Sequence, residues 1–269
     1  MSYACRVLAD SAAQNGARIT TLEVTFPRIV LAEFNTHRML SRNSASSRAI
    51  PVEKMLERVQ RDPFIPAAWP KNQKGMQAED DLDALASEAA AGEWLIARDR
   101  AVQQTQQLLS MRVHKQIANR LLEPWMWHTV IVTATEWENF FALRCHPMAQ
   151  PEIRTAAEMM RDAMADSVPR VVPPGSWHLP LVTDSERATK EADWVKVSVG
   201  RCARVSYLTH DGQRDPAADV ALCDRLVASG HMSPTEHVAT PHQHPVFRGN
   251  FRGWVQYRKT LLNEACWKP

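Results

Sequence analysis

The sequence predicts an α+β fold, a sheet flanked by helices, and three of its features carry that reading. Apolar residues alternate with polar ones within residues 19–34; Trp127-His128-Thr129-Val130-Ile131-Val132-Thr133 reads as a further strand; and apolar residues recur at helical spacing in the stretches after each. The 269 residues, 45% of them hydrophobic, suffice for one large domain or two small ones, and we read 1–269 as a single domain. A formal charge of +2 is too small for general nucleic-acid binding. There is no apolar run of about eighteen residues and no charged-then-apolar leader, so no membrane partner is expected and the cytoplasm is the expected compartment. Cys5, Cys145, Cys202, Cys223 and Cys266 show no CxxC spacing and are odd in number, which argues against a disulfide framework.

In chain order, residues 1–18 read as a short lead-in. Leu22, Val24 and Phe26 then alternate with Thr21, Glu23 and Thr25 as a strand, Pro27 marks a bend, and Ile29-Val30-Leu31-Ala32 continues as a second buried strand. These runs deliver the chain into Thr36-His37-Arg38-Met39-Leu40-Ser41-Arg42-Asn43-Ser44-Ala45-Ser46-Ser47-Arg48, thirteen residues that hold three guanidinium groups, one imidazole, one amide and five hydroxyls. Such a set suits an anion, because arginine forks match phosphate and hydroxyls fill the remaining oxygen lone pairs. A solvated loop is the competing reading of that composition.

Pro51 starts a helix with Val52, Met55, Leu56 and Val59 on one face, and Pro63 stops it. Residues 66–81 are rich in breakers and read as a surface loop, with closure over a ligand as the alternative. Helix formers dominate residues 82–122, ending at Pro124. Residues 136–144 form a helix before Cys145-His146-Pro147, and residues 148–167 form the next, with Ile153, Ala157, Met160 and Met164 as its core stripe. Residues 168–192 read as a Pro-rich connection with a possible boundary. A helix over residues 216–229 buries Leu222, Cys223, Leu226 and Val227, and Gly230 suits its C′ position.

The cluster resembles the signature of the flavin-dependent thymidylate synthases: Arg-His-Arg, seven residues, Ser, and an Arg two further on. Here it stands as Thr36-His37-Arg38, seven residues, then Ser46, Ser47 and Arg48, with Thr36 in place of the first Arg and Ser44 in place of a usual Glu. A second block is similar to the same family: Asn139, four residues, Arg144, then Ala149-Gln150-Pro151-Glu152-Ile153-Arg154. Thr133 and Thr135 stand where an Asn and an Arg are usual, and Glu33 where Gln is usual. A third block, His231-Met232-Ser233-Pro234-Thr235-Glu236-His237, resembles the family's Gly-His-x-Ser/Thr-Pro-x-Glu-His element, preceded by a Cys-Ala-Arg-Val-Ser strand at residues 202–206. In the family that block comes first, so the order here implies a circular permutation with residues 196–260 as the moved segment.

The resemblance implies a homotetramer that binds FAD and a pyrimidine deoxynucleotide, with methylenetetrahydrofolate and NADPH as co-substrates, and converts dUMP to dTMP. It assigns His37, Arg38, Asn43, Asn139, His231 and Ser233 to the flavin, and Glu33, Ser46, Ser47, Arg48, Arg120 and Arg144 to the nucleotide. Arg144 has the catalytic role of stabilising charge on the base. A surface position near a helix C-terminus is the competing reading of Arg120. The substitutions at Thr36, Ser44, Thr133 and Thr135 keep two alternatives open: a 5-hydroxymethylase acting on dUMP or dCMP, and a catalytically silent nucleotide-binding protein. The histidines at 231, 237, 242 and 244 match no zinc spacing, so no metal is expected. Glu236 and His237 are as readily a mutually bonded structural pair as ligand contacts. Cys145 beside His146 suggests a thiolate nucleophile, but neighbouring helical side chains diverge by about 100°, which favours a structural cysteine. Ser46 has no base beside it and is assigned to phosphate.

Overall fold

Residues 2–46, 50–75, 78, 80–206 and 215–265 are described by a computed structural model. Five strands make the main sheet: β1 (Ala4–Ala13), β2 (Arg18–Pro27), β3 (Ser41–Ser44), β4 (Trp127–Ala134) and β5 (Arg170–Val172), in the spatial order β3-β4-β2-β1-β5. Neighbours pair antiparallel except β5, which lies parallel to β1. Residues 1–18 are therefore more than a lead-in. Arg6 and Asp10 interrupt β1, and most of the strand is only half-buried, so its apolar period is weak.

Leu22, Val24 and Phe26 of β2 share one sheet face with Val130 and Val132 of β4, and all five are buried. Helix α1 (Leu31–Asn35) follows a 3-10 turn at Arg28–Val30, so the expected second strand at residues 29–32 is helical instead. Four apolar residues in a row fit either period; Val30 and Phe34, four apart, both reach the core as one helix face. Helix α2 (Val52–Arg61) buries Val52, Met55, Leu56 and Val59 as its spacing predicts. Residues 66–81 are irregular, closed at the base by a bridge between Pro70 and Asp81. Helix α3 (Ala84–Ser110), capped by Asp83, leads through α4 (Lys115–Ala118) and a 3-10 segment at Asn119–Trp125 to β4. Helices α5 (Glu138–Arg144) and α6 (Pro151–Ala165) cover the apolar sheet face, with Phe140, Ile153, Ala157, Met160 and Met164 buried against it.

The other sheet face is covered by the C-terminal half. Residues 168–192 contain β5, the helical turn α7 (Asp184–Arg187) and the buried His178, and so are not a bare connection. Helix α8 (Trp194–Ala203) continues as a 3-10 turn at Arg204–Ser206, so the strand expected at residues 202–206 is helical. Asp193 caps α8, and helical spacing lets Arg201 and Arg204 both reach Asp219, at 3.1 and 2.7 Å. Helix α9 (Pro216–Ala228) lies so close to α8 that a Cβ on Gly200 would come within 2.3 Å of the Asp219 carbonyl oxygen. Gly230 ends α9 at φ +76°, as a C′ glycine does. Short strands complete this layer: β6 (Ala239–Pro241) pairs with β9 (Trp254–Gln256), and β7 (Phe247–Arg248) with β8 (Phe251–Arg252).

At the centre of this second face the contacts are polar. Thr21, Thr133 and Ser41 lie side by side across β2, β4 and β3. Thr21 and Thr133 share a 2.7 Å hydrogen bond, His178 Nε2 meets Thr21 at 2.8 Å, and His237 Nδ1 meets Thr133 at 2.8 Å. Gln256 and Asn250 donate side-chain N–H bonds to Ser41 at 2.9 and 3.0 Å.

Candidate active site

Anchored by Val30 and Phe34, the chain leaves α1 at Thr36 and turns through residues 36–40 into the edge strand β3. Arg42 fixes that turn: its Nη1 donates to the carbonyls of Phe34, Asn35 and His37 at 3.3, 3.0 and 2.9 Å. Composition counts Arg42 among the anion donors, whereas the fold turns it onto backbone. No sequence signal marks an arginine that reaches back five residues to a carbonyl.

The His37 ring stands edge-on to Phe140, with centroids 4.9 Å apart and planes at 88°. Its Nε2 accepts the Nε–H of Arg144 at 2.8 Å. An accepting Nε2 leaves the ring proton on Nδ1. Burial, then the charges of Arg144 and Arg42, push the His37 pKa down to about 4, so the ring is neutral near pH 7. Asn139 lies exposed on the first turn of α5, and Arg38 is exposed beside His37. The second sequence block thus meets the first through a specific hydrogen bond.

The third block meets β3 through Asn43. Its Nδ2 donates to the Cys202 carbonyl at 2.7 Å, and the Ser233 hydroxyl donates to its Oδ1 at 3.3 Å. His231 and Ser233 are exposed, with His231 Nδ1 3.0 Å from the Ser229 hydroxyl. Glu236 and His237 are not bonded to each other: Glu236 pairs with Arg258, and His237 with Thr133. Burial drives the His237 pKa down to about 3. The segment 37–43 is therefore common to all three blocks.

The remaining expected residues lie apart from that pair or outside the described residues. Ser46 is half-buried just beyond β3, and Ser47 and Arg48 are outside the described residues. Arg120 pairs with Glu123 at 2.6 Å, and Glu123 also holds Arg28 at 2.8 Å. Glu33, on α1, has a buried Oε2 without a partner among the described residues. No hydrogen bond joins Arg120 or Glu33 to the His37–Arg144 pair. A depression of about 490 Å³ lies between their two elements, lined by Arg28, Leu31, Ala32, Asn35, Glu123 and Pro124. A cavity of about 520 Å³ adjoins the Ser46 region, with Ala45, Ile50, Arg58 and Thr129 among its lining.

The donor set fits an anionic flavin dinucleotide only in part. Arg38, Asn139, His231 and Ser233 are exposed and offer a cation, an amide, an imidazole and a hydroxyl. At three of the four substituted positions, by contrast, the hydroxyls serve the fold: Thr36 donates to the Glu33 carbonyl at 2.6 Å, Thr133 bonds Thr21 and His237, and Thr135 accepts the Arg252 N–H at 2.9 Å. Cys145 is half-buried against the core, and burial raises its pKa. The ring nitrogen of His146 accepts the Met148 N–H at 3.1 Å and does not activate that thiol. Among the described residues no group of three or more His, Cys, Asp or Glu side chains forms a metal site, and no helix is long and apolar enough to cross a membrane.

A sequence model of the family described as thymidylate synthase complementing protein matches residues 17–170. That range holds the first two motif blocks and ends before the third. Among solved structures, the UMP/dUMP methylase PolB from Streptomyces cacaoi bound with 5-Br UMP superposes with a TM-score of 0.50 at 18% identity, covering 61% of this chain and 90% of that one. Its complex with 5-Br dUMP superposes with a TM-score of 0.46 at 21% identity, covering 55% and 67%. No curated protein matches the chain.

Proposed function

The chain belongs to the flavin-dependent thymidylate synthase family, that of the thymidylate synthase complementing proteins, and on that premise we propose that it transfers a one-carbon unit from methylenetetrahydrofolate to C5 of a pyrimidine deoxynucleotide, converting dUMP to dTMP. The observation that carries this reading is the Arg144 guanidinium: its Nε is tied to His37, and its terminal nitrogens have no partner among the described residues. A guanidinium held in that way accepts negative charge developing on a pyrimidine oxygen without reorganising. Ser46, with Ser47 and Arg48 beside it in sequence, takes the phosphate. Arg38, Asn139, His231 and Ser233 hold FAD, which when reduced by NADPH supplies a hydride. The exposure of those four side chains fits a site completed between subunits of a homotetramer. The four cysteines among the described residues are all free, which fits a cytoplasmic enzyme.

One observation favours a second reading. Because Thr36, Thr133 and Thr135 direct their hydroxyls into the fold, three expected flavin contacts are missing. With three fewer residues to hold the flavin, water would compete for the activated one-carbon unit on C5, and the product would be 5-hydroxymethyl-dUMP. Mass spectrometry after incubation with methylenetetrahydrofolate, FAD and NADPH, with dUMP, UMP or dCMP in parallel, separates these. A product of the mass of dTMP from dUMP supports the first reading, and one oxygen more supports the second. Colourless protein that takes up no flavin and gives no product points to a silent nucleotide-binding protein instead.

A further inference from the structure

We propose that His37 is a positioning residue for Arg144: by accepting the Nε–H of Arg144 on its own Nε2, it holds the guanidinium so that both terminal nitrogens stay free for the pyrimidine. This rests on the functional reading above and changes the role of His37 within it, since the resemblance assigns that residue to the flavin. Arginine carries five N–H donors on a flexible stem. Fixing Nε alone leaves the four N–H donors of the two terminal nitrogens, two of them side by side on the end of the fork, and restricts rotation of the guanidinium.

The geometry holds the imidazole before it holds the arginine. The His37 carbonyl takes the Arg42 Nη1–H at 2.9 Å, so the backbone under the ring is tied to β3. Phe140, four residues before Arg144 on α5, packs edge-on against the ring, so one helix carries both the ring's apolar wall and the arginine it orients. His37 acts on Arg144 only as an acceptor, which requires the neutral ring. A doubly protonated ring would present a donor and a positive charge to the guanidinium. Burial and the two neighbouring arginines disfavour that form, with the pKa pushed down to about 4. The arrangement is therefore self-consistent: the cation that is positioned also keeps its positioner uncharged.

Glutamine separates this role from a merely structural one, because its Oε1 can accept at about the reach of Nε2 whereas leucine fills the space and accepts nothing. The test compares wild type, His37→Gln and His37→Leu, with folding checked by circular dichroism, by calorimetric titration with dUMP and by flavin fluorescence on titration with FAD. The expected result is dUMP binding weakened at least about tenfold in His37→Leu and restored to within about threefold of wild type in His37→Gln, with FAD binding unchanged in both. Binding of dUMP by His37→Leu as tight as wild type overturns the positioning role alone. Loss of FAD binding with dUMP binding intact also overturns it. Wild-type protein that binds no dUMP overturns the functional reading and this role with it.

Discussion

The two faces of the main sheet differ at their centres. On one, Leu22, Val24, Phe26, Val130 and Val132 meet Ile153, Ala157, Met160 and Met164, a contact without direction whose strength follows buried apolar area. On the other, between apolar contacts of Ile19 with Phe251 and Trp254 and of Ile131 with Cys202 and Val205, the centre is polar: Thr21, Thr133 and Ser41 meet His178, His237, Gln256 and Asn250 through hydrogen bonds that each require one partner in one orientation. The apolar face holds the helices on. The polar face selects where the distant segment of residues 178–256 lands, and that landing brings Ser233 to Asn43. Both faces bury apolar area, and the directional contacts that place the distant segment are concentrated at the centre of the second.

The largest effect should come from the apolar face. Phe26→Ala should cost about 3–5 kcal/mol in urea unfolding, through lost transfer energy and the cavity left behind. A loss under about 1 kcal/mol would mean that this face is not the core. Acid should act on both faces: His128, opposite Phe26 on the apolar face, is buried with its pKa pushed down to about 3, and the polar face carries two such groups. His178 and His237 are fully buried, and burial pushes each pKa down to about 3. Folded, they stay neutral to about that pH, whereas in the unfolded chain they bind protons below about 6.5. Stability should therefore fall as pH drops from about 6.5 towards 3, by about 1.4 kcal/mol per pH unit for each, and these two groups should contribute no slope above that window. His178→Gln should remove its share of the slope, while Val24→Ala should lower stability and leave the slope alone. Equal slopes in all three proteins would contradict the comparison.

A smaller effect is expected from Thr133→Val, which keeps volume but leaves the Thr21 hydroxyl and His237 Nδ1 without their shared partner. It should cost about 1–3 kcal/mol, and it should be non-additive with Thr21→Val in a double-mutant cycle. Additive losses would show that the row is not one network. The smallest change belongs to Cys145→Ser, at the margin of the apolar face. Its activity should stay within about twofold of wild type, and a folded but inactive variant would restore the thiolate mechanism.

What could be read from the sequence follows the same division. The strand at β2, the strand at β4 and the buried stripes of α2 and α6 are visible because apolar area leaves a period in the chain. The polar face leaves no such mark. Thr21 and Thr133 look like the solvent side of their strands, and His178 lies in a stretch without periodicity, although all three are fully buried. The motif blocks name Arg144, His37, Asn43 and Ser233 as site residues, but only the fold shows that Arg144 is bonded to His37 and Ser233 to Asn43. Arg42 and Phe140 set the site's geometry while their own sequence context reads as an anion cluster and a core helix.

In the proposed reaction the guanidinium held by His37 stabilises the pyrimidine as it reacts. Single-turnover analysis of Arg144→Ala with dUMP, methylenetetrahydrofolate, FAD and NADPH tests it, with the urea midpoint of the variant measured alongside. The expected result is a folded protein whose turnover is below about a tenth of wild type, since a preorganised charge contact of this kind supplies several kcal/mol to the transition state. A folded Arg144→Ala enzyme that turns over at the wild-type rate would contradict it.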